Sequence, residues 1–329
     1  MRILVWHVHG SWLTAFVQGP DEYLVPVLPD RGPDGRGRAR TWDWPASVRE
    51  VTPEALADEA FDVVVLQRPE ELALVERWTG RRPGVEVPAV FVEHNTPYGT
   101  QGARRHPAVE TRHPLAERGD VPVVHVTHFN AMAWDCGRAP TRVVEHGVVD
   151  PGLRYTGERG RVAAVVNEPV RRGRVAGTDL LLRFAERAPV EVYGMGMAEL
   201  AAHASPLAGL EGHLHDDVPQ DAMHTRLAQA RAYLHPYRWT SLGLSLVEAM
   251  ALGLPVLALA TTAAAESVPP EAGVVSNDLD HLVATARRWL HDPDEARERG
   301  AAGRRHALRR FGLDRFLADW QVLLKEVTR

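Results

Sequence analysis

The sequence predicts an α/β fold made of two consecutive parallel-sheet domains. Its 329 residues are enough for two domains of roughly 100–200 residues each. Short valine-rich runs without polar alternation, such as Phe61–Gln67 and Val121–Thr127, are typical of strands that helices cover on both faces. Helix-like stretches separate these runs, and the alternation starts again after residue 150, which indicates two sheets.

The strand-like runs form two sets along the chain. The first set is Arg2–Val8, Phe61–Gln67, Val87–Glu93, Val121–Thr127 and Arg142–Glu145, and the second is Arg161–Asn167, Val190–Tyr193, Ala232–His235, Pro255–Leu259 and Gly273–Val275. Helical patterns such as Thr178–Arg187 and Gln220–Ala230 lie between members of the second set. We therefore predict an N-terminal domain over residues 1–150 and a C-terminal domain over residues 151–310.

The final residues, 311–329, predict one more helix. Its apolar side chains fall on a single face: Leu313, Phe316, Leu317, Trp320, Leu324 and Val327. Such a face needs an apolar surface to cover, and the pattern does not say which domain supplies it. We predict that this helix packs back on the N-terminal domain.

Composition excludes several kinds of chemistry. The net charge of −5 gives the chain as a whole no electrostatic basis for binding nucleic acid. Lys325 is the only lysine, which argues against pyridoxal phosphate enzymes that hold their cofactor on a lysine. Cys136 is the only cysteine, so an intramolecular disulfide is impossible and a cysteine-based zinc site is not expected.

Two features of the sequence concern the cellular location of the protein and its surface loops. No stretch reaches the ~18 apolar residues of a membrane-spanning helix, and the apolar start is too short for a signal peptide, so we expect a cytoplasmic protein. The sequence does not indicate membrane association, although it leaves that association open. Arg31–Arg40 and Thr100–Gly119 are polar and irregular, which predicts exposed loops. The alternatives for each are an acceptor-binding lid or an anionic-surface patch.

The segment from His235 to Pro255 carries the strongest functional pattern. A strand ends at His235, a loop follows, and a helix begins near Ser245 after Gly243. Free backbone N–H groups of Gly243, Leu244 and Ser245 would point at a phosphate, aided by the helix dipole. Gly243 allows close approach because it has no Cβ. This junction therefore predicts a phosphate site.

Glu248 lies one turn into the same helix. Two carboxylate oxygens match the two hydroxyls of a ribose, so Glu248 is a candidate ribose ligand. The alternative is a solvated glutamate near a helix start.

Two other segments supply candidate ligands. The loop after the strand Arg161–Asn167 is rich in arginine, and Arg171 and Arg174 could clamp a diphosphate because a guanidinium binds phosphate bidentately. A solvated basic loop is the alternative. His94 follows the strand Val87–Glu93, where an imidazole could bond a sugar hydroxyl, or could be a loop histidine without a ligand.

The central segment resembles the signature of retaining GT-B glycosyltransferases of family GT4, the glycosyl transferases of group 1. The matching positions are Gly243, Leu244, Glu248, Ala249, Met250, Ala251, Gly253, Pro255 and Val256. The resemblance implies two Rossmann-like domains facing across a cleft, with the acceptor on the first and the donor on the second. It also implies a UDP-, GDP- or TDP-linked sugar as donor, a small molecule or glycan as acceptor, and no metal or other cofactor.

The resemblance also suggests roles for single residues. When the two patterns are aligned on Gly177, Arg171 matches the family's arginine. Ala176 occupies the position of the family's lysine, so Arg174 or Arg172 would have to substitute for it. His94 matches a histidine that contacts the donor sugar, and Gly10 matches a loop glycine that approaches phosphate or acceptor. Thr240 replaces the acid that contacts the donor sugar. The resulting candidates for the reacting centre are His94, Thr240 and Glu248, and those for donor binding are Gly10, Arg171, Arg174, Gly243, Leu244, Ser245 and Glu248.

Two other functions remain open at this point. Because Thr240 cannot supply charge, the chain could bind a nucleotide sugar without efficient transfer. The pair His7 and His9 at the end of the first strand also suggests a metal-dependent hydrolase, which would need further histidines and an aspartate at strand ends.

Overall fold

The computed structural model describes residues 1–97, 110–204, 209–210 and 212–329. The prediction for Thr100–Gly119 therefore falls partly outside the described residues. The chain divides into two compact units, each described below by itself. Unit 1 comprises Met1–Val149 and Leu313–Arg329, and unit 2 comprises Asp150–Gly312.

Unit 1 is built on one parallel sheet. Its strands are β1 (Arg2–Val5), β2 (Glu22–Pro26), β3 (Val48–Val51), β4 (Val63–Leu66), β5 (Ala89–Glu93), β6 (Val123–His125) and β7 (Thr141–Val143). Its helices are α1 (Gly10–Phe16), α2 (Pro53–Leu56), α3 (Glu70–Thr79), α4 (His128–Ala133) and, from the end of the chain, α13 (Leu313–Val327). Over the described residues the strand order is β3-β2-β1-β4-β5-β6-β7, with Ile3 paired to both Tyr23 and Val63.

Unit 2 repeats this plan. Its strands are β8 (Arg159–Val165), β9 (Val190–Gly194), β10 (Leu214–Asp216), β11 (Ala230–His235), β12 (Val256–Ala258) and β13 (Gly273–Val275). Its helices are α5 (Pro169–Ala176), α6 (Thr178–Ala185), α7 (Met197–His203), α8 (Gln220–Gln229), α9 (Leu244–Leu252), α10 (Ala264–Ser267), α11 (Leu279–His291) and α12 (Pro293–Phe311). The described strands pair in parallel in the order β10-β9-β8-β11-β12-β13.

The central strands of both sheets are buried, as the valine-rich runs predict, whereas the edge strands β7 and β10 are largely not. All four residues of β4 are buried, and Val162, Ala164 and Val190 of unit 2 share one core cluster. The sequence missed three strands, β2, β3 and β10. Two of these, β3 and β10, are short edge strands, and the sequences Val-Arg-Glu-Val and Leu-His-Asp carry little apolar signal.

The last helix, α13, lies in unit 1. The Trp320 ring is 5.7 Å from that of Trp12 and 5.1 Å from that of Phe16, and Trp320 is fully buried. The Arg315 guanidinium donates a hydrogen bond to the Glu145 carbonyl oxygen at 3.1 Å. The amphipathic face read from the sequence therefore covers aromatic side chains of α1.

Two further expectations can be compared with the structure. The expectation of an exposed loop over Arg31–Arg40 is wrong for its middle, because Gly35 and Gly37 are buried and Gly37 donates a backbone hydrogen bond to Pro26. None of the described helices is both long and apolar enough to cross a membrane.

Candidate functional site

Each sheet reverses its strand order at one place, between β1 and β4 in unit 1 and between β8 and β11 in unit 2. In open parallel sheets, ligands bind in the crevice beyond the carboxyl ends of the two strands at such a point. In unit 2 this crevice is bordered by the segment after β8, residues 166–177, which contains the helix α5, and by the loop after β11, residues 236–243.

The segment after β8 and the loop after β11 are in direct contact. Gly177 has φ 75°, and a Cβ there would lie 1.9 Å from the Pro236 carbonyl oxygen, so only glycine fits. The backbone N–H of Arg238 donates to the Val175 carbonyl at 3.0 Å. The Arg238 guanidinium donates to both carboxylate oxygens of Asp179. The pair Arg238 and Asp179 therefore ties the loop after β11 to the start of α6, and sequence reasoning had assigned neither residue a role.

The N-terminus of α9 faces the carboxyl end of β11. Gly243 is its N-cap, and no side chain caps the helix. The first N–H groups of a helix have no intrahelical acceptor, so those of Leu244 and Ser245 are suited to an anion. A Cβ on Gly243 would lie 2.4 Å from Cε1 of the buried His235 ring, which explains the glycine. The Ser245 hydroxyl is already engaged, because it accepts a hydrogen bond from the Tyr233 hydroxyl at 2.8 Å.

Glu248 is buried and has partners, so the alternative of a solvated glutamate is wrong. Its side chain is 10% exposed. Its Oε2 atom accepts a hydrogen bond from Nε2 of Gln220 at 3.0 Å and lies 3.4 Å from Nε2 of His224. Both partners come from α8, where they are four residues apart and therefore share a helix face. The sequence pattern gave no reason to single them out.

The two predicted arginines lie on α5, so the expectation of a loop here is wrong. Both are largely exposed and paired with acids. Arg171 forms an ion pair with Glu168, and Nη1 of Arg174 lies 2.9 Å from an oxygen of Asp179. Their side chains are 66% and 78% exposed. The same Asp179 bonds Arg238, so Arg174 is brought beside the loop after β11. Both arginines retain enough exposure to reach a ligand.

Thr240 lies in the loop after β11, and its side chain carries no charge. It is partly buried, and no described residue forms a hydrogen bond with its side chain. Its neighbour Ser241 is buried, and the Ser241 carbonyl accepts a hydrogen bond from the Ala263 N–H at 3.3 Å. The backbone of the loop is therefore held, while the Thr240 hydroxyl is left for another partner.

In unit 1, His94 belongs to a cluster of three histidines, which also contains His9 and His146. The ring of His94 is 4.0 Å from that of His9 and 6.4 Å from that of His146. Burial lowers the pKa of His94 well below its usual value, that of His9 to about 4 and that of His146 to about 3. Nε2 of His94 and Nδ1 of His146 are buried without a hydrogen-bond partner among the described residues. All three rings are therefore neutral at neutral pH.

Gly10 begins α1 beside this cluster. A Cβ on Gly10 would lie 2.3 Å from two ring carbons of Trp42. The requirement for glycine here therefore comes from an indole packed against the backbone. The predicted approach of Gly10 to a ligand stays a prediction.

His7 and His9 do not act as a pair. Nδ1 of His7 bonds the Gly37 carbonyl oxygen at 3.0 Å, whereas His9 packs against His94. Among the described ranges, no group of three or more histidine, cysteine, aspartate or glutamate side chains is arranged to hold a metal ion.

Comparisons with known proteins agree with this architecture. Residues 209–306 match the family model described as Glycosyl transferases group 1. A sucrose-phosphate synthase from Thermosynechococcus elongatus superposes with a TM-score of 0.74 at 14% identity, covering 99% of both chains. Anabaena HepE in complex with UDP-glucose superposes with a TM-score of 0.70 at 16% identity, covering 99% of this chain and all of that one.

A glycosyltransferase from Rickettsia africae gives a TM-score of 0.66 at 12% identity, covering 100% of this chain and 98% of that one. No curated protein matches the sequence. At these identities the structural likeness establishes the fold. The chain therefore has the GT-B fold of two parallel-sheet α/β units, and the match to the glycosyl transferases group 1 model falls within its second unit.

Proposed function

We propose that the chain is a glycosyltransferase that moves a sugar from a nucleoside-diphosphate donor to a hydroxyl of a small molecule or glycan, with retention of configuration. The observation that carries this proposal is the uncapped N-terminus of α9 one turn before a buried carboxylate, Glu248. The first feature suits a phosphate and the second a ribose. The group 1 domain spans both, which supports the same assignment.

The donor chemistry follows from the groups in unit 2. Breaking the glycosidic bond leaves negative charge on the β-phosphate. The N–H groups of Leu244 and Ser245 and the guanidinium groups of Arg171 and Arg174 stabilise that charge, and this role needs no metal ion. Uridine is our first choice of base because HepE binds UDP and UDP-glucose, with GDP and TDP as alternatives.

We assign acceptor binding to unit 1, and we assign to His94 a hydrogen bond with a sugar hydroxyl. Burial lowers the pKa of His94 well below its usual value, so the neutral ring exchanges a hydrogen bond and does not act as a cation. Retention is proposed from the GT4 resemblance alone.

A calorimetric titration with UDP, GDP and TDP tests the donor site. Wild type should bind at least one of them, and Glu248→Ala should bind it at least about tenfold more weakly, since hydrogen bonds to charged groups contribute about 1.5–3 kcal/mol. Glu298→Ala, at an exposed glutamate of α12, is the matched control and should bind like wild type. Failure of wild type to bind any of the three below millimolar concentration would refute the transferase.

One observation favours a second function, that of a binding protein without efficient transfer. Thr240 stands where the resembled family has an acid, and its hydroxyl cannot supply charge. Incubation of the protein with the donor that it binds distinguishes the two functions. Transfer or slow donor hydrolysis supports the enzyme, and binding without either supports the second function.

A further inference from the structure

Three polar atoms from two helices of unit 2 form a triangle next to the candidate ribose site. Nε2 of Gln220 lies 2.9 Å from Nε2 of His224 and 3.0 Å from Oε2 of Glu248. The third side, between the His224 nitrogen and the Glu248 oxygen, is longer at 3.4 Å. The two short sides therefore meet at the Gln220 amide.

Only one assignment of hydrogens satisfies both short contacts. An amide nitrogen carries two hydrogens, so it can donate one to the carboxylate and one to an unprotonated imidazole nitrogen. If the amide were turned round, its oxygen would face the carboxylate oxygen of Glu248, and two acceptors would oppose each other. Gln220 therefore donates to both partners, and Nε2 of His224 accepts.

Gln220 occupies Oε2 of Glu248, so the two ribose hydroxyls would share the two lone pairs of Oε1 and would not each take one oxygen. Oε2 is held by Gln220, whereas Oε1 accepts no hydrogen bond from a described residue and is not shut off from solvent. His224 is buried, and its Nε2 gives the second amide hydrogen of Gln220 a fixed acceptor. Rotation of the Glu248 carboxylate would break the hydrogen bond to Gln220.

We propose that Gln220 is a positioning residue for nucleotide recognition. It fixes the Glu248 carboxylate so that Oε1 is the atom presented to the ribose hydroxyls, and His224 fixes Gln220 in turn. This inference rests on the proposed function, because it takes Glu248 as the ribose ligand. Gln220 acts only through Glu248 and is not itself assigned a contact with the donor.

A purely structural role makes a different prediction. If the triangle only joins α8 to α9, its loss lowers stability and weakens every ligand of unit 2 to the same degree. If Gln220 positions Glu248, its loss weakens only those ligands that offer ribose hydroxyls. Ligands with and without these hydroxyls therefore separate the two roles.

The experiment compares UDP with 2′,3′-dideoxy-UDP by calorimetry, with the corresponding GDP pair in parallel. Gln220→Met keeps the length of the side chain and removes both donors. We expect Gln220→Met to weaken UDP binding about tenfold, which corresponds to the loss of one hydrogen bond to a charged group. Its affinity for the dideoxy ligand should stay within about twofold of that of wild type. Gln229→Met, at the other end of the same helix, is the matched control and should change neither affinity.

Two further variants keep the test independent of folding defects. His224→Gln retains an acceptor for Gln220 and should keep UDP affinity within about twofold, whereas His224→Leu should lose several-fold. In a Glu248→Ala background, Gln220→Met should cause no additional loss, because the two residues act as one unit.

Each contrary result has a distinct meaning. Equal losses for UDP and the dideoxy ligand, or an unchanged UDP affinity in Gln220→Met, would overturn the positioning role and leave the proposed function intact. If wild type binds none of the ribose-bearing ligands, the proposed function and the positioning role are both wrong.

Discussion

The two units handle buried polar groups near their candidate sites in different ways. In unit 2, the Glu248 carboxylate has a hydrogen-bond donor on Oε2, and Ser245 has Tyr233. In unit 1, His94 and His146 each keep a buried nitrogen without a partner among the described residues. Hydrogen bonds therefore order Glu248 and Ser245, whereas burial and ring packing hold the histidine cluster of unit 1. His235 of unit 2 resembles that cluster, because its Nδ1 is also buried without a partner among the described residues.

The difference indicates what each site can do. A carboxylate that is held in one orientation can recognise a defined pair of hydroxyls. Neutral imidazoles in an apolar setting can exchange hydrogen bonds with a sugar, but they resist taking up a proton. Unit 1 has three such rings at its site, whereas unit 2 has His235, whose pKa burial also lowers to about 3. The comparison therefore predicts that both sites are sensitive to acid and that unit 1 contributes more.

The largest expected effect is the acid sensitivity caused by His146. Burial lowers its folded-state pKa to about 3, below the 6.5 of an unperturbed histidine. The unfolded chain therefore binds more protons below pH 6.5, so the stability that this neutral ring confers is present above pH 6.5 and is lost as the pH falls toward about 3. At pH 5 the loss should be about 2 kcal/mol, at roughly 1.4 kcal/mol per pH unit.

Urea unfolding of wild type and His146→Gln at pH 7.5 and pH 5 measures this effect. The variant should show a smaller decrease in the free energy of unfolding between the two pH values. His281→Gln, at an exposed histidine of α11, serves as the control and should show the wild-type decrease. An identical pH dependence in wild type and His146→Gln would show that His146 does not cause the sensitivity.

Substitution of Gly243 should have the next largest effect on stability, and it tests how tightly the unit 2 site is packed. Its added Cβ would lie 2.4 Å from the His235 ring, and that ring is buried. Gly243→Ala should therefore cost about 1–3 kcal/mol of stability through overpacking. Gly160→Ala, in β8 with nothing within 4 Å of the added carbon, is the control. Equal thermal unfolding of the two variants would mean that the His235 contact has no energetic weight.

Features that are local in sequence could be predicted. Gly243 and Glu248 lie on one loop and helix, so a short stretch contains the whole pattern. The alternation of strand-like and helix-like segments likewise predicted both parallel sheets. The missed edge strand β10 depends on distant contacts, since His215 stacks on Tyr193 of β9 at 4.6 Å.

Features assembled from distant segments could not be predicted. Gln220 and His224 approach Glu248 from another helix, and nothing in Gln-Asp-Ala-Met-His indicates that partner. His9, His94 and His146 come together because the strands before them, β1, β5 and β7, end at the same edge of one parallel sheet. His7 and His9, by contrast, form a conspicuous pair in the sequence, but in the structure they contact different residues.

The smallest expected effect concerns Arg171, and it separates the exposed rim of the unit 2 site from its buried part. Arg171 is 66% exposed and already paired with Glu168, so its interaction with a diphosphate is partly screened and competes with that ion pair. Arg171→Ala should weaken nucleoside-diphosphate binding by about 0.5–1 kcal/mol, roughly two- to five-fold, and more so at low salt. Arg142→Ala, at an exposed arginine of unit 1, is the control for net charge. A loss as large as that of Glu248→Ala would mean that Arg171 leaves Glu168 and closes on the phosphates, whereas an unchanged affinity at every salt concentration would remove Arg171 from the site.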